Sequence, residues 1–472
     1  MLDTTSNFSM TIGGKAVPSA KTIDVFNPST GEVFAQAPDC SREQLDDAVR
    51  SATEAFPSWK NTPIDQRADM LMKASDRLEQ HADKLASLFT QEHGRPVEGT
   101  KQEIIGAAMW MKAVAQMRPP THVQEDSDVQ RVETRYVPLG VICAISPWNF
   151  PVNLSIWKIA PALLAGNTMV LKPSPFTPLC MLKVGEILRD VFPPGVLNII
   201  TGGDDLGPWM TSHPGFAKIS FTGSSETGKR VMESAAKDLK RLTLELGGND
   251  AAIVLPDVNV DEIAEKIFFG AFANTAQICV ATKRLYVHED VYDALRDRLV
   301  AIAKMTKVGD GAEQGTVMGP IQNKRQYDRV LDLLESAKAE GLTLLQGSDI
   351  PDNAGYFIPV TIVDNPPESS RVVQEEAFGP ILPMMKFSDV DDVIRRTNDS
   401  EYGLAGAVWS ADTEKALSIA DALDTGTVWI NHNLNLRPDT PFAGRKNSGF
   451  GVENGMEGLL EYMAPKSVYL MK

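Results

Sequence analysis

The sequence is poor in the residues that bind metals or form disulfides. Its 472 residues include only four cysteines and six histidines. The cysteines form no CxxC pair and have no histidine nearby, so we expect neither a disulfide framework nor a metal site. In a reducing compartment each thiol is expected to be free. A lone cysteine is usually a small buried apolar residue, so a catalytic role must be argued from its position. The four are Cys40, Cys143, Cys180 and Cys279.

The sequence also lacks long apolar runs and an excess of basic residues. No run approaches the ~20 apolar residues of a membrane-spanning helix, and the first nine residues do not resemble a signal peptide. Lys and Arg number 46 against 62 Asp and Glu, which gives a net charge of −16. Nucleic-acid binding needs clustered basic residues. We therefore expect a soluble, cytoplasmic protein without a nucleic-acid or membrane partner.

What is present is an ordinary globular composition, with 43% hydrophobic and 23% charged residues. A chain of this length is expected to form two or more domains. Ser41 and Gln44 form a capping-box pattern ahead of apolar residues at helical spacing, which predicts a helix there. A second helical pattern spans 65–92 and stops at Gly94 and Pro96, and a third follows Thr100. The start of the chain is therefore predicted to be mostly helical.

Beyond residue 130 the pattern changes to short strands. Residues 131–137 alternate as a half-exposed strand does. The following apolar runs alternate with helical stretches, which favours a parallel sheet covered on both faces. A second series after residue 280 predicts another α/β lobe, with the site in the cleft between the lobes. The first series comprises 140–145, 168–171, 196–200, 218–221 and 251–255; the second comprises 285–287, 342–345, 381–385, 405–408 and 427–430.

Two glycine-containing segments follow predicted strands. The segment 221–228 opens a helix, so Gly223 and Gly228 could form a turn that binds a phosphate at the helix N-terminus. Its spacing is not GxGxxG, and a glycine turn between a strand and a helix is usually only a turn. Glu245 ends a strand beside two glycines, where it could act as a general base or be an ordinary surface glutamate.

Two further side chains stand where reactive groups are often exposed. Cys279 follows an apolar helical pattern and precedes a strand, and its thiol would need activation. Asn149 lies in a loop after a buried strand, between Pro147 and Pro151, which could aim its amide as a donor. A simple proline-rich turn is the alternative.

Seven segments, in one order along the chain, resemble the signature segments of the aldehyde dehydrogenase superfamily. The resemblance covers essentially the whole chain and includes the 34-residue step from Glu245 to Cys279. Seven motifs in order are far more specific than any one alone. They are Pro147-Trp-Asn-Phe-Pro151, Leu171-Lys-Pro-Ser174, Phe221-Thr-Gly-Ser224, Glu245-Leu-Gly-Gly248, Cys279, Glu375-Glu-Ala-Phe-Gly-Pro380 and Ser448-Gly-Phe-Gly451.

The resemblance implies a catalytic role for three residues. Cys279 would attack the aldehyde carbonyl, and Asn149 would donate to the resulting oxyanion together with the Cys279 backbone N–H. Glu245 would activate the water that hydrolyses the thioester. Relatives that transfer the acyl group to coenzyme A lack this glutamate. Glu453 matches a proton-relay glutamate, although a solvated helix glutamate is the alternative.

The resemblance also implies a nicotinamide cofactor, NAD or NADP. Lys172 and Glu376 would hold ribose hydroxyls, and Gly223 and Ser224 would contact the pyrophosphate. Pro175 departs from the pattern, because many NAD-dependent members carry a glutamate there that binds the adenosine 2′-hydroxyl. We expect NAD, with NADP possible. The remaining cofactor-binding residues implied are Trp148, Ser174, Gly228 and Phe378.

The substrate pocket is implied to be aromatic, lined by Phe150, Trp157 and Phe442, which favours an apolar or aromatic aldehyde. Core packing is the alternative. Residues 443–446 replace the common Gly-Gly-x-Lys of the substrate loop. Arg437 could bind a substrate carboxylate or be a surface arginine.

The family fold is α/β: a Rossmann-like cofactor-binding lobe, a second catalytic α/β lobe and a small β arm. We assign 1–118 and 139–247 to the NAD(P)-binding domain and 248–447 to the catalytic domain. Residues 448–461 return to the active site, and 119–138 with 462–472 form the oligomerisation arm of a homodimer or homotetramer. The competing functions are a catalytically inactive binding protein on this scaffold and a CoA-acylating enzyme.

Overall fold

The computed structural model describes residues 3–472. The chain begins with two antiparallel hairpins, so the expected helical start is wrong before residue 40. Gly13 and Gly14, with φ of 59° and 73°, make the first turn. The first two strands have only three residues each, and the side chains of the second and third are largely exposed, so these strands leave little hydrophobic pattern. The strands are β1 (Met10–Ile12), β2 (Lys15–Val17), β3 (Lys21–Asn27) and β4 (Glu32–Asp39).

Four helices follow. The predicted capping box at Ser41 and Gln44 is confirmed. The helical pattern at 65–92 is two helices, because the chain turns at His81, whose ring Nδ1 lies 2.8 Å from the Arg77 carbonyl oxygen. Gly94, with φ of 90°, ends the second of these. The helices are α1 (Arg42–Trp59), α2 (Ile64–Gln80), α3 (Ala82–His93) and α4 (Val97–Ala115).

The next segment contains the predicted half-exposed strand and the first β-α series. All the predicted strands of this series are present. The strand at 251–255 belongs to a different sheet from the rest of the series. The strands are β5 (His122–Asp126), β6 (Gln130–Pro138), β7 (Val141–Ile145), β8 (Thr168–Lys172), β9 (Leu197–Ile199), β10 (Lys218–Thr222) and β11 (Arg241–Glu245); the helices are α5 (Pro151–Ala165), α6 (Leu179–Leu188), α7 (Leu206–Ser212) and α8 (Ser225–Ala236).

The second series is also present, with two strands, β15 and β17, that the sequence did not predict. A 3-10 turn, Ala273–Ala276, follows the first helix. The strands are β12 (Ala251–Val254), β13 (Arg284–His288), β14 (Thr343–Gln346), β15 (Thr361–Asp364), β16 (Ile381–Phe387), β17 (Tyr402–Gly403), β18 (Ala405–Trp409) and β19 (Thr427–Ile430); the helices are α9 (Val260–Phe272), α10 (Glu289–Met305), α11 (Lys324–Ala339), α12 (Arg371–Gln374), α13 (Val390–Asn398) and α14 (Thr413–Ala422).

The C-terminal segment joins three sheets in turn. β20 (Arg445–Lys446) pairs with β17, and β21 (Gly449–Phe450) pairs with β11. After α15 (Gly455–Leu460), β22 (Met463–Met471) pairs antiparallel with β6. Residues 448–461 thus contain a strand of the first sheet, and the tail lies beside β6.

Two large sheets organise the fold. One has the order β2-β1-β9-β8-β7-β10-β11-β21, and the other β14-β15-β16-β13-β12-β18-β19. A separate three-stranded sheet, β22-β6-β5, forms the arm. Ile142 and Ala144 pack in one apolar cluster, whereas Val141 and Cys143 pack in another, so both faces of the first sheet are buried. The predicted α/β class with a β arm is confirmed.

The parallel strands of the first sheet bring most of the predicted site residues to one edge. Ile145 is in register with Lys172, and Thr222 with Glu245. The carboxyl ends of β7, β8, β10 and β11 therefore align, and ligands of open α/β sheets bind beyond such ends. The loop 146–150 and the turn at Gly223 extend from this edge.

Candidate active site

Cys279 lies in a strained loop between α9 and β13. Asn274, Thr275 and Ala276 precede it, with φ of 52°, 56° and 60°. Residues with a Cβ rarely adopt this conformation, and such strain clusters at functional sites. Cys279 is partly exposed, whereas the other three cysteines are buried. Among the four thiols, it is therefore the one that a small reagent can reach.

The surroundings of Cys279 disfavour its charged form. Burial raises the pKa of the thiol to about 12, and Asp250, Glu245 and Glu376 add to the rise. Lys283 opposes it. The thiol is therefore protonated at neutral pH in this arrangement and must lose its proton before it acts as a nucleophile.

Asn149 is held against the Cys279 loop from both ends. Its side-chain Nδ2 donates to the Gln277 carbonyl at 3.0 Å. Its backbone carbonyl oxygen accepts from His93 Nε2 at 3.0 Å and from Asn274 Nδ2 at 3.2 Å. A carbonyl only accepts, so His93 carries its proton on Nε2. An amide has two N–H groups, which leaves one of Asn149 for a ligand.

Glu245 is buried at the end of β11, and neither of its carboxylate oxygens has a hydrogen-bond partner among the described residues. Burial raises the pKa of Glu245 well above its usual range, Glu453 adds to the rise and Lys158 opposes it. A raised pKa and free oxygens suit a group that exchanges protons with a bound water.

Glu453 is paired with a buried lysine of α5. Lys158 donates to a carboxylate oxygen of Glu453 and, at 2.8 Å, to the Thr222 hydroxyl. The side chains of both partners are at most 1% exposed. Glu453 is thus not a solvated helix glutamate. Lys158 was not predicted, although a lysine in an otherwise apolar buried helix was a usable signal.

Of the predicted ribose ligands, Lys172 is buried and Glu376 is half-buried. Burial lowers the pKa of Lys172 to about 8, and Asp204 and Asp39 oppose this shift. Its ammonium group makes one hydrogen bond among the described residues, a long one of 3.4 Å to the Pro173 carbonyl. A side chain at Gly247 would place its Cβ 2.5 Å from Glu376 Oε2, so glycine keeps this oxygen accessible.

The remaining predicted cofactor residues lie at the same edge. The Trp148 and Phe378 rings meet edge to face, with centroids 5.4 Å apart. Ser224 caps α8 by accepting from Thr227 N at 3.3 Å. Gly228 lies inside α8, where a Cβ would contact Leu246 at 2.5 Å, so its observed role is close packing of helix on sheet.

Gly223 and Ser174 complete this edge. The Gly223 N–H donates to the Glu245 carbonyl at 3.0 Å, which fixes the turn beside the general-base candidate. Ser174 Oγ accepts from Phe176 N at 3.2 Å and orders the loop after β8. A buried ammonium with unused donors, an accessible carboxylate and a capped helix N-terminus together fit a dinucleotide.

The predicted pocket residues form one aromatic cluster that includes Cys279. Trp157 stacks on Trp110, with centroids 4.9 Å apart, and meets the Phe442 ring edge to face at 5.9 Å. Several members were not predicted because they come from distant segments. Beside the predicted Phe150, Trp157 and Phe442, the cluster contains Ile278, Trp429, Leu434 and Leu436.

Two arginines lie close to this cluster, and both are neutralised. Arg95 packs over the Phe150 ring at 4.7 Å and is paired with buried Glu103. Arg437 donates to both oxygens of Asp439, at 2.9 and 2.6 Å, and its side chain is 64% exposed. The structure thus favours the surface-arginine interpretation of Arg437 over a ligand for a substrate carboxylate.

Neither a metal site nor a membrane-spanning helix is found in residues 3–472. No group of three His, Cys, Asp or Glu side chains there could hold a metal ion. No helix in this range combines the length and apolar character that crossing a bilayer requires.

The sequence matches the model of the aldehyde dehydrogenase family over residues 16–468. A probable aldehyde dehydrogenase of a Pseudomonas species is 41% identical over 472 residues, which cover 100% of this chain and 96% of the relative. Phenylacetaldehyde dehydrogenase of Pseudomonas fluorescens is 38% identical over 98% of this chain and 95% of its own. The crystal structure of betaine aldehyde dehydrogenase from Staphylococcus aureus, in complex with NAD+, has a TM-score of 0.94 and 33% identity over 98% of this chain and 94% of that one. This chain belongs to the aldehyde dehydrogenase family, whose members oxidise aldehydes.

Proposed function

We propose that the enzyme oxidises an apolar, aromatic aldehyde to the carboxylic acid with NAD and water, through a thioester on Cys279. The observation that carries this proposal is the convergence of three groups. The side-chain amide of Asn149 donates a hydrogen bond to the carbonyl of Gln277, two residues before Cys279. The charge of Glu245 acts on the Cys279 thiol. A nucleophile, an oxyanion donor and a base are the parts that acyl chemistry needs.

In the first half-reaction the Cys279 sulfur, after losing its proton to water, attacks the aldehyde carbon. The free N–H of the Asn149 amide and the backbone N–H of Cys279 donate to the oxyanion that forms. NAD, when bound, supplies a nicotinamide that accepts the hydride from this carbon. Lys172 and Glu376 would hold its ribose hydroxyls, and Ser224 with Gly223 would lie at its pyrophosphate.

In the second half-reaction Glu245 takes a proton from a water whose oxygen attacks the thioester carbonyl. The carbon–sulfur bond breaks, Cys279 leaves as a thiolate and the acid is released. Glu453, held by Lys158, is proposed to receive the proton from Glu245 through water. The unpartnered oxygens of Glu245 support this order, because they leave room for a water at the base.

Two features favour NAD over NADP, although Pro175 supplies no carboxylate to repel a 2′-phosphate. Burial lowers the pKa of Lys172, and the charges of Asp204 and Asp39 oppose that shift, so negative charge already acts at the ribose end of the cleft. A second phosphate there would be repelled. Losing one repulsive group is also weaker than building a dedicated phosphate site.

The aromatic substrate class is supported by the pocket. The stacked pair Trp110 and Trp157 with Phe442 presents ring faces and edges, and the arginines nearby are already paired. Pairing of aromatic rings adds about 0.5–1.5 kcal/mol beyond area burial. A free carboxylate on the substrate would meet no unpaired cation among the residues named.

We also propose homo-oligomerisation, the domain boundaries given above and a cytoplasmic location. β22 is an edge strand, and Tyr469, Leu470 and Met471 on it are 71%, 55% and 68% exposed. Such an edge suits addition to a neighbour's sheet, so we propose a homodimer or homotetramer. The domain ranges assigned above are retained. A catalytic thiol is best kept reduced in the cytoplasm.

The test is NADH absorbance over an aldehyde panel, with and without coenzyme A. We expect turnover of phenylacetaldehyde and benzaldehyde at a kcat/KM at least about tenfold above that of succinic semialdehyde, without a coenzyme A requirement. Trp157→Leu should lower kcat/KM for the aromatic aldehydes by about tenfold and that for acetaldehyde by less than about threefold. Strict dependence on coenzyme A would favour the acylating alternative, and no turnover of any aldehyde would favour the inactive-scaffold alternative.

A further inference from the structure

Lys283 is a buried lysine that contacts the Cys279 loop and the cofactor cleft at once. It lies four residues after Cys279, directly before β13, and its side chain is 5% exposed. Its Nζ donates to the Cys279 carbonyl at 2.5 Å and to the Ala281 carbonyl at 3.4 Å. Glu376 Oε1 lies 3.4 Å from the same nitrogen. One ammonium group thus joins segments almost 100 residues apart.

Without Lys283, the charged side chains that act on the Cys279 thiol would all be negative. Three negative charges act on the thiol: Glu245 at the end of β11, Asp250 just before β12, and Glu376 in the segment after α12. Glu245 and Asp250 are buried, and the side chain of Glu376 is 16% exposed. Lys283 is the cation that opposes them at the thiol. Its removal would leave the thiolate facing acidic groups alone.

Lys283 also affects the pKa values of Asp250 and Glu376. Asp250 Oδ1 accepts from Ala405 N at 3.1 Å, while Oδ2 has no partner among the described residues. Burial raises the pKa of Asp250 to about 7, and Lys283 opposes this rise as it does for Glu376. Glu376 Oε1 is shared between the Gly248 N–H, at 3.3 Å, and Lys283. Its Oε2 therefore remains for a ligand.

We infer that Lys283 is a positioning residue that ties the nucleophile loop to Glu376 and supplies the positive charge that favours the Cys279 thiolate. The inference rests on the proposed role of Cys279. The ammonium group donates to the backbone carbonyl of Cys279. It therefore both holds the loop in place and brings a positive charge close to the thiol. A neutral side chain of similar length, such as methionine, would fill the space and provide neither effect.

The experiment measures alkylation of Cys279 in the cofactor-free protein, with site-resolved mass spectrometry. Two reagents of nearly equal size are compared, neutral iodoacetamide and anionic iodoacetate. In Lys283→Met we expect alkylation by iodoacetamide at pH 8 to slow about tenfold, because a shift of one pKa unit changes the thiolate fraction tenfold. Alkylation by iodoacetate should slow about fivefold more, since the attracting charge is gone.

Two variants control for structural damage. Lys283→Arg keeps the charge and should restore the ratio of the two rates to within about twofold of the wild type. Lys183→Met removes a buried lysine paired with Glu186 on α6 and should leave both rates unchanged. An unchanged rate ratio in Lys283→Met overturns the inference even if both rates fall, since that shows altered access alone. Turnover that survives Cys279→Ser would instead refute the proposed function, and the alkylation ratio would still report on Lys283.

Discussion

Replacing Asn149 by alanine separates oxyanion stabilisation from the reactivity of the thiol. In the structure the Asn149 amide uses one N–H to hold the Gln277 carbonyl and has another for the oxyanion. Loss of one such donor typically costs about 2.7–4 kcal/mol of transition-state stabilisation, a factor of about 100–1,000 in kcat. Loss of the bond to Gln277 adds about 1 kcal/mol of stability cost and should leave the fold intact.

The assay compares two reactions of the same sulfur. Oxidation of phenylacetaldehyde passes through an oxyanion, whereas alkylation by iodoacetamide does not. For Asn149→Ala we expect kcat/KM to fall about 100–1,000-fold and the alkylation rate to change less than about threefold. Asn153→Ala, on the next helix, is the matched control and should change neither rate by more than about threefold. A fall in kcat/KM of less than tenfold, or an equal fall in both rates for Asn149→Ala, would refute the assignment.

Three further predictions follow from the same site. Glu245→Gln should give a burst of NADH approaching one per active site, followed by slow turnover, in a rapid-mixing experiment. Intact-mass measurement should find an acyl adduct on Cys279. A slow burst without an adduct would show that Glu245 acts before hydride transfer. Because burial and Glu453 raise the pKa of Glu245, its basic form increases with pH, so the hydrolysis rate should rise from pH 6 to 9, and this rise should vanish in Glu245→Gln. NAD should be preferred over NADP in kcat/KM, and a preference for NADP above about tenfold, or 1.4 kcal/mol, would contradict the cofactor proposal.

Local pattern predicted the elements that place the site. The strands that end at Ile145, Lys172, Thr222 and Glu245 are short apolar runs between helical patterns, and they are present in the structure. The alignment of their ends then follows from parallel pairing. Two errors of the prediction also have local causes. β1 and β2 are too short to show a period, and the turn at His81 interrupts an unbroken helical pattern.

The supporting residues could not be predicted, because their roles depend on contacts between distant segments. His93 reaches the Asn149 carbonyl from 56 positions away, and Lys158 reaches Glu453 from 295 positions away. Trp110 stacks on Trp157 across two helices. The sequence shows a histidine and a tryptophan in helices, which are found at both core and surface positions, and it shows that Lys158 is unusual in an apolar helix without showing its partner. Gly228 shows the reverse case, since a predicted cofactor residue is explained by packing against Leu246.

The most direct test of the central proposal is steady-state NADH formation from phenylacetaldehyde by Cys279→Ser, beside Cys40→Ala, Cys143→Ala and Cys180→Ala. The three alanine variants remove buried thiols and should retain turnover within about threefold. Cys279→Ser should lose at least about 1,000-fold, because a serine hydroxyl at this position has no base arranged to activate it. Turnover by Cys279→Ser comparable to that of the wild type would contradict the thioester mechanism.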